Sequence, residues 1–526
     1  MQRLLRSTVS RLKKIDLLRR IVSRARTIGF SRQSVALQHA RRNIDAGNFN
    51  AAAAQIESME TKNARAWRIL LDCYLTAHRF KDVIQAYEAM PEENRKDFAC
   101  RHVYLLAAAN LKQFDAVAGI IQGALNEPNS MAASEFLNKV RPFAERMGPD
   151  AHRFVVERIV SQRTWLAAEQ FDTILKCAHD LREKGWEQDA IDLEKALRDA
   201  AGSARTGMKL DIFDAQLHFW SGRYDLQLAS INSVLSKQGL TPVQLKDESA
   251  PFACENLKSA PANPPLQGPL VSILVPAYNS AGTISYVLES LRNQTYRDFE
   301  VIVVDDASTD DTASIVAPFC DADPRFRLLS MGRNSGVFVA RNMALASATG
   351  EFVTNQDADD WAHPQKIATA VAELRRDQSI IATWVDHVRC SKQRGFRALN
   401  GYFRPDASSL MFRQKPVLET IGYYDSVRAA GDGEFHLRMG RSFGSRSIRK
   451  IDKLLSFVSW SDASLSGGGA FQIDSDLGLF SPARSAYRKA FGLWHETANP
   501  LYVPFPLEKR PFPIPDSLAP SPGHGS

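Results

Sequence analysis

The sequence predicts an all-α helical-repeat segment followed by an α/β domain, the latter a mostly parallel sheet sandwiched by helices. Three observations carry this expectation. A helical unit headed by an aromatic recurs through residues 35–245. Four later stretches are apolar runs of strand length. Helical patterns alternate with those runs, as βαβ units require. At 526 residues the chain also exceeds what one core supports, since single cores stop growing near about 250–300 residues.

The first 34 residues read as a basic amphipathic leader. Residues 1–42 hold twelve Lys/Arg against one acid, Asp16; removing that excess of 11 from the chain's +7 leaves the remainder at −4. Basicity therefore belongs to one segment and not to a groove-reading domain, so no nucleic-acid partner is expected. Leu5, Val9, Leu12, Leu18, Ile21 and Val22 recur at helical spacing between the cations, the pattern of a helix lying on an anionic membrane face. A solvated leader or a helix capping the next domain has the same pattern. The six cysteines are scattered, with no spacing suited to zinc, and no apolar run reaches the roughly 20 residues of a bilayer span. A cytoplasmic protein is expected, with 1–28 available for peripheral contact with the inner face of the plasma membrane.

Within 35–245 the recurring unit reads AGNFNAAAAQIESM at 46, AHRFKDVIQAYEAM at 77, LKQFDAVAGIIQGA at 111, KGWEQDAIDLEKAL at 184 and SGRYDLQLASINSV at 221. Phe49, Phe80 and Phe114 stand 31 and 34 residues apart, near the period of helix-turn-helix solenoids. The segment resembles degenerate tetratricopeptide repeats, which implies a surface for a protein partner; an ordinary helical bundle is the alternative. The proline-bearing stretch 246–268 reads as a linker.

The α/β domain is expected over 269–498. LVSILVPAY (270–278), FEVIVVDDAS (299–308), RFRLLSM (325–331) and GEFVTNQDADD (350–360) suit strands buried on both faces. Ligands of open α/β sheets bind beyond the carboxyl ends of the strands. Those ends here carry Pro276, Ala277, Tyr278 and Asn279, then Asp305 and Asp306, then Asp357, Asp359 and Asp360. Three carboxylates within four residues repel one another unless water or a cation intervenes. A hard ion such as Mn²⁺ or Mg²⁺ takes such oxygens and keeps positions open for phosphate. Asp305 and Asp306 also suit a cap region before TDDTAS, with Ser308 or Thr309 as the capping residue. Residues 499–526 form a proline-rich tail, expected to drape over the domain or stay disordered.

The stretches VSILVPAYNSAGTISYVLESLRNQTYRDFEVIVVDDASTDDT, NSGVFVARNMALASATGEFVTNQDADD and GYYDSVRAAGDGEFHLRMG resemble the GT-A fold of glycosyltransferase family 2 over about 269–470. The resemblance implies a metal-dependent inverting transfer of a sugar from a nucleotide-diphosphate donor, UDP-sugar foremost, to a saccharide or lipid-linked hydroxyl acceptor in bacterial surface polysaccharide or glycolipid synthesis. It implies that Pro276, Ala277, Tyr278, Asn279 and Asp306 line the nucleotide, that Arg341 lies near the donor, and that Asp357 faces ribose or sugar. Asp359, with Asp357, would hold the metal. Asp432 stands where the family carries its base, with Glu434 as the alternative; an N-cap role for Asp432 is the structural one. Trp460 and SDASLS (461–466) resemble the family's closing loop. His363 and His436 lack partners at metal spacing and read as structural. A catalytically idle scaffold that binds partners through its repeats is the competing reading.

Overall fold

The computed structural model describes residues 32–45, 48–125, 143, 171–183, 185, 187–259, 266–398, 401–460, 471, 473–474 and 479–520. The expected leader helix at 1–28 and the SDASLS segment lie outside them. The chain divides into two compact units, Met1–Ala116 and Val117–Ser526.

In the first unit, helices Arg32–Asp45, Phe49–Glu57, Ala64–Thr76, Phe80–Glu88, Glu92–Arg95 and Phe98–Asn110 follow one another. The aromatics that head the repeated sequence units open helices: Phe49 and Phe80 here, Phe114 and Tyr224 later in the chain. Asn63 and Asp97 cap their helices by accepting from the N–H of Ala66 and Cys100, satisfying donors that a helix start leaves orphaned. Ala52, Ala53, Ile56, Leu70, Leu71 and Val83 are buried, with the small residues allowing close approach of the backbones.

In the second unit the expected division at 245 is not where the packing divides. Helices Ala204–Trp220 and Tyr224–Lys237 are bonded into the α/β structure. The Gln216 side chain donates to the Arg394 carbonyl and accepts from the Phe396 N–H, and Gln238 accepts from the Leu454 N–H. The stretch read as a linker, 246–268, contains β2 (Leu257–Ser259), which pairs antiparallel with β1 (Val243–Leu245) just before it. Between them buried Phe252 packs 5.3 Å from Phe396 and 5.0 Å from Phe457, centroid to centroid. Apolar surface of that size stabilises only when covered, so residues 246–259 are held against the α/β structure.

The sheet begins with β3 (Val271–Ala277), β4 (Phe299–Asp305), β5 (Phe326–Ser330) and β6 (Phe352–Asn355). The expected parallel arrangement holds for these four: β3 lies between β4 and β6, with β5 outside β4. Crossover helices Ile284–Arg292, Thr312–Ala322 and Val337–Ala346 cover the two faces. Side chains divide by the strand period of two. Val271, Ile273, Val275, Val301 and Val303 enter one core with Ile284, Leu288 and Leu291. Leu274, Ile302 and Val304 enter the other with Phe338, Ala344, Phe412 and Phe435.

Beyond β6 the sheet becomes mixed. It adds β7 (Trp361–Ala362), β8 (Ala382–Ser391), β9 (Gly395–Phe396), β10 (Arg404–Pro405), β11 (Met411–Arg413) and β12 (Ile448–Ser459). The order runs β5-β4-β3-β6-β11-β8-β12-β7, with β9 and β10 also on β8. No helix among the described residues is long and apolar enough to cross a membrane.

The proline-rich tail drapes over the second core, the first of the two expectations. Val503, Phe512 and Leu518 are buried in it, Leu518 accepts from the Arg428 N–H at 2.9 Å, and Arg510 pairs with buried Asp425. Gly422 makes the docking possible: its φ is +72°, and a Cβ there would stand 2.1 Å from the Val503 carbonyl oxygen. Ending the chain before Val503 should lower the unfolding free energy in urea by on the order of 5 kcal/mol, since each of three apolar side chains contributes roughly 1.5–3. An unchanged denaturation midpoint would show that the tail only rests on the surface.

Candidate functional site

The strand ends gather as the parallel order requires. After β3, Tyr278 is 47% exposed, so it is no core aromatic, and Asn279 takes a positive φ of 49°. That backbone turn lets the Asn279 N–H donate to the Ser308 hydroxyl and its side-chain oxygen accept from the Thr309 N–H. Ser308 and Thr309 therefore tie β3's end to β4's and do not cap the next helix. Asp310 accepts from the Thr312 N–H instead.

Asp306 is buried, and each of its oxygens accepts a backbone N–H at 2.7 Å, from Ser335 and from Gly336. Burial pushes its carboxyl up, and the two N–H groups with Arg428 oppose that. Gly336 has φ +99°, and a Cβ would crowd the Arg428 backbone at 3.0 Å. Asp306 thus fixes the entry to the helix Val337–Ala346, leaving only its remaining lone pairs for any ligand.

The acids after β6 separate in role. Asp357 accepts from the guanidinium of buried Arg341. Asp360 is turned inward, where it accepts from the Ser459 N–H at 3.0 Å; burial and then its acidic neighbours raise its carboxyl well above the usual range. Asp359 has no such partner among the described residues. Burial, then Asp357, push it up to about 6. The backbone around it is anchored: the Tyr286 hydroxyl donates to the Asp359 carbonyl at 2.8 Å and Thr283 to the Ala358 carbonyl at 2.7 Å. The three carboxylates do not form a closed cage. Among the described residues, the one group of three whose ligand atoms lie within 4.8 Å of one another is His179, Asp180 and Glu183, where Lys176 already pairs with Asp180. Carboxylate oxygens of Asp359 and the free side of Asp357 still suit a hard divalent ion that completes its shell with phosphate oxygens.

Beneath this loop lies a charged network that sequence reasoning missed. Buried Lys366 donates to Gln356 Oε1 at 2.9 Å, and Gln356 donates to the Asp360 carbonyl at 2.9 Å. Burial lowers the Lys366 ammonium, with Asp406, Asp360 and Asp357 opposing. Burial alone would raise Asp406, but Lys366 and His387 overcome it. The signal was present: Lys366 shares a helical stripe with Ala370 and Leu374, both buried, a position where an unpaired cation is costly.

Asp432 sits in the first turn of the helix Gly431–Phe443, half-buried, and is not its N-cap. Glu434, the alternative base, is fully enclosed. It binds Arg438 through both oxygens, at 2.8 and 3.0 Å, and His495 at 2.9 Å. Burial would raise it; Arg438 and His495 together pull it down. With both oxygens bonded and the side chain 0% exposed, Glu434 has no route to a substrate, which leaves Asp432 as the candidate base. Tyr424 links the strand that leads to the acidic loop with the helix that carries Asp432. Asn355, two residues before Asp357, donates to the Tyr424 hydroxyl at 2.8 Å, and the Tyr424 ring stacks at 4.0 Å on Phe435, three residues past Asp432. Burial alone would lower the Arg341 guanidinium; Asp357, with Tyr424 and Asp432 behind it, reverses that. His363, bonded to the Thr241 carbonyl and held down to about 4 by burial, is structural, as is His436, stacked on Trp384 at 4.4 Å.

Acids and an arginine at the carboxyl edge of parallel strands, with Asp432 on a separate helix, make up the candidate site of this α/β domain. Residues 272–430 match the model for glycosyl transferase family 2: the chain carries a family 2 glycosyltransferase domain. It is 29% identical over 221 residues to a chondroitin synthase of Escherichia coli, a match covering 40% of this chain and 32% of that protein. It is 26% identical over 211 residues to the glycosyltransferase GlyG of Streptococcus pneumoniae, covering 40% of this chain and 64% of the other. The chain thus spans about a third of the first relative's length. Solved structures similar to it include Staphylococcus aureus TarS with UDP-GlcNAc, 23% identical with TM-score 0.31, covering 37% of this chain and 59% of that one.

Two expectations follow from the geometry. Asp359's raised value means its proton stabilises the fold fully below about pH 4, and that contribution is lost as pH rises through about 6. Without divalent ions, Asp359→Asn should match wild type at pH 4 and exceed it at pH 7.5, by on the order of 1 kcal/mol, read from denaturant midpoints. Glu434→Ala leaves Arg438 buried without its partner and should cost about 3–5 kcal/mol; a melting temperature within 2 °C of wild type would contradict the enclosure.

Proposed function

We propose that the chain is a metal-dependent inverting glycosyltransferase that moves a sugar from a nucleotide-diphosphate donor, UDP-sugar foremost, to a hydroxyl of a saccharide or lipid-linked acceptor in polysaccharide synthesis. The observation that carries this is the coupling of Asp357, Arg341 and Asp432 into one set across two separate helices and a strand end. The family 2 domain over 272–430 supports it.

In this reading the exposed ring of Tyr278 and the turn at Asn279 receive the base, while Pro276 and Ala277 close the strand end beneath it. Asp306 holds the Ser335–Gly336 turn and offers its spare lone pairs to the nucleotide. Asp359, with the free oxygen of Asp357, would hold Mn²⁺ or Mg²⁺, which when bound neutralises charge on the departing diphosphate. Arg341 holds Asp357 in place through their ion pair. Asp432 takes the proton of the acceptor hydroxyl as that oxygen bonds to the anomeric carbon; the bond to the diphosphate breaks, and its electron pair leaves with the phosphate oxygen. Attack from the side opposite the leaving group inverts the carbon. Helices resembling tetratricopeptide repeats would give the first unit a protein partner, and 1–28 a membrane-surface contact.

The test is turnover of a nucleotide-sugar panel with Mn²⁺. Asp432→Asn should fold normally and lower kcat by at least about 10³-fold, in the range of a lost general base, while leaving nucleotide binding intact. Asp359→Ala should abolish ion-dependent binding of the nucleoside diphosphate. Failure of every donor to turn over, with both variants binding as wild type does, would favour the idle scaffold.

A further inference from the structure

On the side of β6 away from β3 and β4, strand β8 gathers arginines that donor binding does not use. Arg404 pairs with His387 in the antiparallel β8–β10 ladder. In the β8–β9 ladder Cys390 faces Phe396, so the next residues outward, Arg389 and Arg397, are opposed, and the Arg397 N–H donates to the Arg389 carbonyl at 3.0 Å. Side chains alternate along a strand and directly opposed residues share a face, which puts His387, Arg389, Arg397 and Arg404 on one face. Like charges set opposite one another oppose pairing.

Among the described residues, no acid forms an ion pair with Arg389 or Arg397. The acids within electrostatic reach of Arg389 are Asp360 and Asp406, and Asp359 from its own side. Asp406 is held by Lys366 and Asp360 by the Ser459 N–H. The buried Nε of Arg389 has no hydrogen-bond partner among the described residues. Trp460 follows Ser459, the residue paired with Cys390, and lies 4.5 Å from the Arg397 guanidinium and 5.0 Å from that of Arg394. Its buried indole N–H is likewise without a partner among the described residues.

We propose that Arg389 and Arg397, with the Trp460 N–H beside them, recognise a negatively charged group, a carboxylate or a phosphodiester, on the saccharide that accepts the sugar. The proposal rests on the glycosyltransferase reading for the word acceptor. Sheet order separates the two substrates: the nucleotide-facing residues stand on β3 and β4, and the arginines stand beyond β6 and β11. An anion placed between Arg389 and Arg397 satisfies two guanidinium forks whose geometry matches either oxyanion.

Titration calorimetry on the full chain tests this with three saccharide probes of equal length and with UDP. The probes are an oligosaccharide bearing hexuronic acids, the same molecule with its carboxyls reduced to alcohols, and a polyol-phosphate oligomer. At least one anionic probe should bind about tenfold more tightly than the neutral one, with the advantage shrinking as salt rises. The larger affinity identifies carboxylate or phosphodiester. Arg397→Gln and Arg389→Gln should each remove most of that advantage, with UDP affinity unchanged, while Arg397→Lys should keep part of it. Equal binding of charged and neutral saccharides by wild type overturns the proposal, as does a preference that survives both glutamine variants. Loss of UDP affinity in step with saccharide affinity also overturns it, by assigning the arginines to the donor's diphosphate. Since binding requires no turnover, a chain that transfers no sugar counts against the activity alone.

Discussion

Mutual repulsion among Asp357, Asp359 and Asp360 is the constraint around which the second unit is organised. Three carboxylates on adjacent residues cannot all be ionised in a half-buried loop without counter-charge. The fold resolves this by separating them. Arg341 takes Asp357, the Ser459 N–H takes Asp360 from inside, and Asp359 keeps an unmet demand for positive charge. Lys366, reaching Gln356 from below, keeps the whole loop from floating on an acidic floor. The placement of β6 between β3 and β11 decides where that demand is presented.

A second consequence of that placement is a site with two unlike halves. The parallel half offers backbone turns, an exposed ring and short polar side chains. The mixed half offers arginines, an indole and the helix of Asp432. Tyr424 is the part common to both, bonded to Asn355 on one side and stacked on Phe435 on the other. Under the proposed function, a group held by the first half and a group held by the second would have to meet near Asp359.

The parallel half was legible because its strands are buried on both faces and so read as unbroken apolar runs. Their ends named the acids directly. The mixed half was not, since β7, β9 and β10 span two residues each and exist only by pairing with longer neighbours. Role was harder to read than position. Asp359 and Asp360 are indistinguishable in sequence, and only the path of β12 past the loop decides which one is enclosed. Glu434 and Asp432 lie on one helix turn, and only the approach of His495 and Arg438 separates them. The attachment of 204–237 to the α/β structure was hidden for a related reason. Gln216 and Gln238 look like solvent-facing polar residues until the backbone groups they bond, at Phe396 and Leu454, are brought beside them.

The strap formed by Val503, Phe512 and Leu518 lies against the same core as Phe435 and Tyr424. Ribosomes deliver a protein from its amino end, so this core must wait with an open flank while residues 271–502 have already emerged. The acidic loop and the helix of Asp432 can be made early, but the core between them is covered only once Leu518 has emerged. A nascent chain stalled before Val503 therefore leaves Tyr424 and Phe435 without that cover, aromatic surface of the kind a chaperone recognises.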